Sequence, residues 1–129
     1  MITEIKQGDA LIALYINNSD IADGTHPITP SEWPLQALMM KRPVGHVFVK
    51  HTHAILERHT IALQETIVVT KGKLRVTVCN RKGKDVVTQN VASGECLLLV
   101  NGGYKIEVLE DGSFYEFKNG PHLDDKILL

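Results

Sequence analysis

Short apolar runs alternate with polar residues over most of this chain, and glycine-bearing turns separate the runs. From about residue 44 to 118 β-branched residues dominate, and no stretch between the turns is long enough for a helix. The turns recur every eight to eleven residues, which is typical of an antiparallel barrel or sandwich, so we predict an all-β fold. The turn sequences are Lys71-Gly72-Lys73, Asn80-Arg81-Lys82-Gly83, Ser93-Gly94, Asn101-Gly102-Gly103 and Glu110-Asp111-Gly112.

The alternation also predicts which side chains face the core. Leu74, Val76 and Val78 point to one side of a strand, and the polar residues between them point to the other. Residues 96–100 are apolar on both faces, which predicts a strand that is covered on each side. The sheet should therefore contain half-buried strands and one strand that is fully enclosed.

The first part of the chain is less regular than the rest. Residues 1–34 contain one apolar run, Ala10 to Ile16, and then a proline-containing stretch with the sole tryptophan, Trp33. We predict one or two added strands and a loop there, and a β-barrel over residues 35–129. A length of 129 residues suits a single structural domain that includes both parts.

Composition excludes several classes of function. The chain has 14 Lys and Arg against 15 Asp and Glu, a formal net charge of −1, and no basic block, so we expect no nucleic-acid partner. No apolar run reaches bilayer length and the first residues do not resemble a signal peptide. We therefore expect a soluble cytoplasmic protein with no membrane partner, in which Cys79 and Cys96 are buried thiols.

Histidines are concentrated in one place. Four of the six lie within residues 46–59. His51 and His53 share one face of a predicted strand with Val47 and Val49, so both should point inward. Two imidazoles at positions i and i+2 are a recurrent half-site for transition metals. The alternative is one buried, hydrogen-bonded histidine and another at the end of the strand.

Glu65 is the second candidate for a site. It shares a predicted face with Ile67 and Val69, which places a carboxylate in line with core residues. A buried carboxylate is costly unless a metal, a cation or a hydrogen-bonding ligand accompanies it. His51 and His53 would hold a metal ion beside this carboxylate, whereas an ion pair with Arg58 would stabilise it without a metal.

These residues resemble the first motif of the cupin superfamily. Gly45 precedes His51-Thr52-His53 by five intervening residues, and six residues separate Glu65 from Gly72, as in that motif. Eleven residues lie between His53 and Glu65, where the family usually has three or four. The resemblance therefore implies a longer loop or hairpin at the barrel mouth, and Arg58 and His59 lie in it.

The second cupin motif is degraded in this chain. Gly94 and Gly102 have the right separation, but Val100 and Lys105 replace the usual proline and histidine. Related cupins with the longer connection carry Gly-Gly-His where this chain has Gly102-Gly103-Tyr104, and Glu116 to Pro121 also resembles those relatives. Alternation places Tyr104 on the inner face with Ile106 and Val108, and Lys105 outside.

The resemblance implies a double-stranded β-helix, the jelly-roll barrel of cupins. On this hypothesis the protein holds a divalent metal ion, such as zinc, iron, nickel or manganese, through His51, His53 and Glu65. Tyr104 would be a fourth ligand or lie behind the ligands. A small polar molecule, such as a sugar or a carboxylate, would bind against Arg58 and His59.

Two other functions stay open from the sequence. Small cupins of sugar-nucleotide pathways often work without a metal, which suggests an isomerase or epimerase with a histidine as base and Tyr104 as acid. The degraded second motif also suits a non-enzymatic small-molecule sensor. Cupins commonly form homodimers, so we expect one here, with the run Ala10 to Ile16 paired across a two-fold axis.

Overall fold

The computed structural model describes residues 1–17 and 19–129 and shows an all-β protein. Over these residues there is no helix, and accordingly none with the length and apolar character to cross a membrane. The strands are β1 (Ile2–Gln7), β2 (Ala10–Ile16), β3 (Gly24–Pro27), β4 (Leu38–Lys41), β5 (Glu65–Cys79), β6 (Asp85–Ala92), β7 (Cys96–Leu99) and β8 (Gly103–Lys118).

The main sheet is antiparallel and curls into half of a barrel. Its order is β1-β2-β7-β5-β6, and β8 pairs with β5 along the other side of that strand. The short strands β3 and β4 form a separate two-stranded sheet. The all-β, antiparallel prediction is therefore confirmed, and β5 is the strand that connects most of the sheet.

The two turns predicted at Gly72 and Gly112 are not chain reversals, because both glycines lie inside strands and together form one bend of the β5–β8 pair. Gly72 lies inside β5 with φ of 81°, and the register between β5 and β8 shifts around it. A Cβ at Gly72 would come 2.7 Å from the Asp111 carbonyl oxygen, and one at Gly112 would overlap the Lys71 carbonyl. Glycine supplies positive φ in bulges as well as in turns, so the sequence signal alone did not distinguish a bend from a chain reversal.

The core lies on both faces of the sheet, as predicted for residues 96–100. Leu97 and Leu99 belong to the larger cluster on the concave face, together with Ile67 of β5. Leu98 belongs to a second cluster on the opposite face, which Trp33 covers. The predicted inward residues Leu74, Val76 and Val78 are also buried, and of the two free cysteines Cys79 is buried while Cys96 is half-buried.

The strand predicted around His51 and His53 is absent from the structure. Residues 42–64 form no strand, and Val47 and Val49 are 76% and 78% exposed. Alternation predicts which face a strand would bury, but a strand is stable only when a neighbouring strand pairs with it. No described strand pairs with this segment, which we call the connecting segment.

The predicted strand Ala10 to Ile16 is confirmed as β2. Both of its edges are occupied within the chain, by β1 on one side and β7 on the other. Strand β2 therefore has no free edge for a second subunit, and β1 is the outer strand on that side. The homodimer stays a prediction, but β2 is not available to pair across its two-fold axis.

Candidate functional site

Glu65 and Tyr104 meet on the concave face. Glu65 begins β5, whereas Tyr104 lies opposite Val78, near the far end of the same strand. The bend at Gly72 curls the sheet so strongly that the Tyr104 hydroxyl donates a hydrogen bond of 2.8 Å to Glu65 Oε2. Lys105 is exposed. The predicted inward direction is therefore confirmed for Tyr104 and Ile106, which pack against the core. Val108, predicted on the same face, is 61% exposed, because the register between β5 and β8 shifts next to it.

Two further charged residues complete this group. The Tyr104 hydroxyl oxygen also lies 3.3 Å from Glu116 Oε2, and Lys118 Nζ lies 3.6 Å from Glu116 Oε1. Lys118 is directly opposite Glu65 in the strand register, yet its ion pair is with Glu116. Across residues 1–17 and 19–129, Glu65 has no ion pair. We call Glu65, Tyr104, Glu116 and Lys118 the concave-face cluster.

The environment of Tyr104 keeps its hydroxyl protonated. Burial raises the pKa of Tyr104 well above its ordinary value, and the hydrogen bond to Glu65 and the charges of Glu65 and Glu116 raise this pKa further. A neutral phenol donates its single proton to a carboxylate oxygen. Tyr104 therefore holds Glu65 Oε2 in place and leaves Oε1 of the same carboxylate for another partner.

His51 and His53 lie in the connecting segment with their rings edge to face. The ring centroids are 5.4 Å apart and the planes are inclined by 77°. Nδ1 of His51 is 2.8 Å from the Val49 carbonyl oxygen, so the proton lies on Nδ1 and Nε2 is free to bind a metal. Both side chains are exposed.

The histidine pair and Glu65 do not form one site in this arrangement. Among the residues that the structure describes, no three His, Cys, Asp or Glu side chains converge closely enough to hold a metal ion. The structure thus contains two parts of the predicted site, the histidine pair on the connecting segment and the carboxylate on the sheet.

Arg58 and His59 also lie on the connecting segment and are exposed. The Arg58 guanidinium is 3.5 Å from the Leu56 carbonyl oxygen, and His59 Nε2 is 3.2 Å from Glu57 Oε1. Arg58 is therefore not the partner of Glu65 here, although the sequence left that pairing open. Both residues line an open cavity of about 240 Å³ between residues 58–63 and 119–125, with Asp125 on the other wall.

Asn119 joins the end of β8 to the end of the connecting segment. Its Oδ1 accepts a hydrogen bond of 2.8 Å from the Gln64 backbone N–H. Its Nδ2 donates to the Ala62 carbonyl at 3.1 Å and to Thr60 Oγ1 at 3.2 Å. Sequence reasoning missed this residue, because its partners are more than fifty residues away in the chain.

Glu116 was also missed, because its direction follows from the pairing of β8 with β5 and not from the sequence pattern, in which Tyr115 and Phe117 share the more apolar face. It opposes the buried Ile67, so this pairing places its carboxylate on the concave face. Asn119 gave no sequence signal either. Only the folded chain brings its side chain to residues 60–64.

No protein-family model, curated protein or solved structure matches this chain. Function is therefore inferred from the residues themselves. On the concave face they offer two carboxylates, an ammonium group and a neutral phenol, and on the connecting segment they offer two adjacent imidazoles. This chemistry suits cations and hydroxylated or charged small molecules.

Proposed function

We propose that the chain is a small single-domain cupin that binds a divalent metal ion and a small polar molecule against its concave face. On this proposal the curled half-barrel sheet is part of a double-stranded β-helix, the jelly-roll barrel. The support is the antiparallel pairing of β5 with β6, β7 and β8, together with the cupin-like spacing of Gly45, His51, His53, Glu65 and Gly72.

The observation that carries the proposal is the state of Glu65. Its side chain is half-buried among core residues and accepts a hydrogen bond from a neutral phenol, and the ammonium group opposite it in register pairs with Glu116 instead. A cation or additional hydrogen-bond donors stabilise a carboxylate in such a place. A metal ion or a polar ligand would supply these.

The donor set of the proposed metal site is His51, His53 and Glu65. Two imidazoles and a carboxylate suit zinc, iron, nickel or manganese and leave coordination positions for water or ligand. The donors fit such an ion by their chemistry and not by their present positions, because the histidine pair and Glu65 lie apart. Tyr104 would act behind Glu65, by fixing the orientation of its carboxylate.

The small molecule would bind at the mouth of the concave face. Arg58 and His59 line the cavity next to residues 119–125, and a guanidinium group is well suited to a carboxylate or a phosphate. A sugar or a small acid fits this combination of a cationic wall and the hydrogen-bonding groups of the concave-face cluster.

A metal-free isomerase or epimerase is the second candidate. The inward position of the Tyr104 phenol favours it, since a phenol on the concave face can donate a proton to a bound ligand without any metal. In this scheme a histidine removes a proton next to a carbonyl group and Tyr104 returns one. The raised pKa of Tyr104 makes its phenol a weak acid, so a ligand would have to separate it from Glu65 before proton transfer.

Metal analysis of protein purified without a histidine tag tests the first proposal. We expect about one divalent metal ion per chain and a lower Tm after chelation. Glu65→Gln keeps the shape of the side chain and should remove most of the metal, whereas Glu107→Gln, an exchange of the same type on β8, should not. Substoichiometric metal together with an unchanged Tm after chelation would contradict the proposal.

Ligand binding separates the two candidates. A nucleoside diphosphate hexose is the probe, measured by calorimetry with wild type and Glu65→Gln. If the metal-free scheme is right, the variant retains binding of the probe and neither protein holds metal. Metal in the wild type that is lost from Glu65→Gln favours the first candidate instead.

A further inference from the structure

The cavity beside the end of β8 has two walls that are held in place by contacts with the rest of the chain. One wall is residues 58–63 of the connecting segment and the other is residues 119–125. Asn119 joins the two walls through its side-chain hydrogen bonds. Farther along, Leu129 lies against Gly83 on the turn between β5 and β6, where an added Cβ would come 3.2 Å from the Leu129 Cβ. The cavity is therefore built by the fold.

Two opposite charges line this cavity, and neither has an ion partner. Arg58 lies on one wall and Asp125 on the other. Within the described part of the chain neither side chain forms an ion pair, with each other or with a third residue. The Arg58 guanidinium contacts the Leu56 carbonyl oxygen at 3.5 Å, which leaves most of its N–H donors available. A guanidinium with free donors suits a carboxylate, and a free carboxylate suits an ammonium group.

The other charged side chains at the cavity already have partners. His59 Nε2 lies 3.2 Å from Glu57 Oε1. Lys118 lines a small adjoining hollow together with Asp125, but its ammonium group pairs with Glu116. The charges that are left for a ligand are therefore one positive and one negative.

The lining between these two charges is mostly apolar. Leu63 and Asp125 both line the adjoining hollow and Arg58 does not, so the negative charge lies at the Leu63 end of the cavity. The cavity volume is about 240 Å³, below the range of about 300–1,000 Å³ that drug-sized ligands occupy. The space suits a short aliphatic chain with a charged group at each end. The apolar lining residues are Ile61, Ala62, Leu63, Pro121 and Leu123.

We propose that this cavity binds a small zwitterion, an aliphatic amino acid whose carboxylate pairs with Arg58 and whose ammonium group pairs with Asp125. This inference rests on the proposed binding of a small polar molecule at Arg58 and His59, and it names the class of that molecule. A ligand with a carboxylate alone would place a second negative charge near Asp125, and like charges repel. A neutral ligand would leave both charges without a partner.

An NMR titration of the isotope-labelled full chain tests this inference without any variant. The probes are glycine, β-alanine, γ-aminobutyrate and δ-aminovalerate, in which the two charges lie at increasing separation. We expect one of them to shift the amide signals of residues 58–63 and 119–125 in a saturable way. The carboxylate and the amine of the same chain length should each bind about fivefold more weakly, because each loses one partly solvated ion pair.

Two substitutions assign each charge to its partner. Arg58→Gln should bind the best zwitterion no more tightly than the matching amine, and Asp125→Asn should bind it no more tightly than the matching carboxylate. Arg81→Gln and Asp85→Asn are the matched controls, because they remove exposed charges outside the cavity, and they should behave like the wild type. All four side chains are exposed, so the variants should fold.

Each other outcome overturns a definite statement. If the carboxylate probe binds as tightly as the zwitterion and Asp125→Asn has no effect, the zwitterion is wrong and the binding of a small acid at Arg58 stands. If a nucleoside diphosphate hexose shifts the amides of the cavity and the zwitterions do not, the zwitterion is again wrong and the proposed sugar binding stands. If none of these probes shifts the amides, the zwitterion and the proposed ligand site are both wrong.

Discussion

The central sheet and the connecting segment are both rich in apolar residues, but they differ in burial. Ile67 on β5 is 1% exposed, whereas Ile55 on the connecting segment is 102% exposed. The difference is the presence of partners, since β5 pairs with β6, β7 and β8 and the connecting segment pairs with no described strand. Apolar alternation therefore predicts a buried face only where the topology also provides a neighbouring strand.

The largest expected effect contrasts the same substitution in both regions. Ile67→Ala should lower the free energy of unfolding by about 2–5 kcal/mol, because it leaves a cavity in the closed core. Ile55→Ala should change it by less than about 0.5 kcal/mol, since the side chain is exposed. Urea denaturation of both variants measures the two values. A loss of similar size for Ile55→Ala would show that the connecting segment is packed in solution.

The bend that curls the sheet is the next target. Gly72→Ala should cost about 1–2 kcal/mol for a side chain at positive φ and about 1–3 kcal/mol more for the displaced backbone of Asp111. Gly94→Ala is the matched control, because Gly94 has φ of 85° and no atom lies within 4 Å of an added Cβ. Thermal denaturation compares them, and equal losses would mean that the Asp111 contact does not restrict the bend.

A smaller effect is expected from the bond between Tyr104 and Glu65. Tyr104→Phe removes the donor to a half-buried carboxylate and should cost about 1 kcal/mol near neutral pH. Glu65 is partly solvated, so water replaces some of the lost bond. Tyr115→Phe, at an exposed tyrosine on the same strand, should have almost no effect in the same urea titration.

The pH dependence sharpens this test. Because the pKa of Tyr104 is raised in the folded protein, the unfolded chain loses this proton first, at pH about 10. Its contribution to stability is therefore constant below that pH and falls as the pH rises further. Denaturation between pH 8.5 and 11 should show a steeper loss in the wild type than in Tyr104→Phe. Parallel curves would contradict the assignment.

Much of the sheet was predictable, and so was part of the concave-face cluster. Parity along β5 and β8 placed Glu65 and Tyr104 on the inner face, since side chains alternate with a fixed period of two. At residues 47–53 alternation wrongly predicted a strand with a buried face, because alternation indicates which face of a strand would be buried and not which strand pairs with it. The alternative contact between Arg58 and Glu65 is also absent, because no periodic pattern restricts the direction of a side chain in a loop.

The sequence by itself determined the all-β class, the inward residues of β5 and β7, and the residue types that suit a metal ion. These depend on local alternation and side-chain chemistry, which are properties of short stretches. Only the tertiary structure decided that Gly72 and Gly112 form one bend, that Tyr104 reaches Glu65, and that Asn119 anchors the connecting segment. Each of these joins residues far apart in the chain, and such contacts depend on how the whole sheet curls.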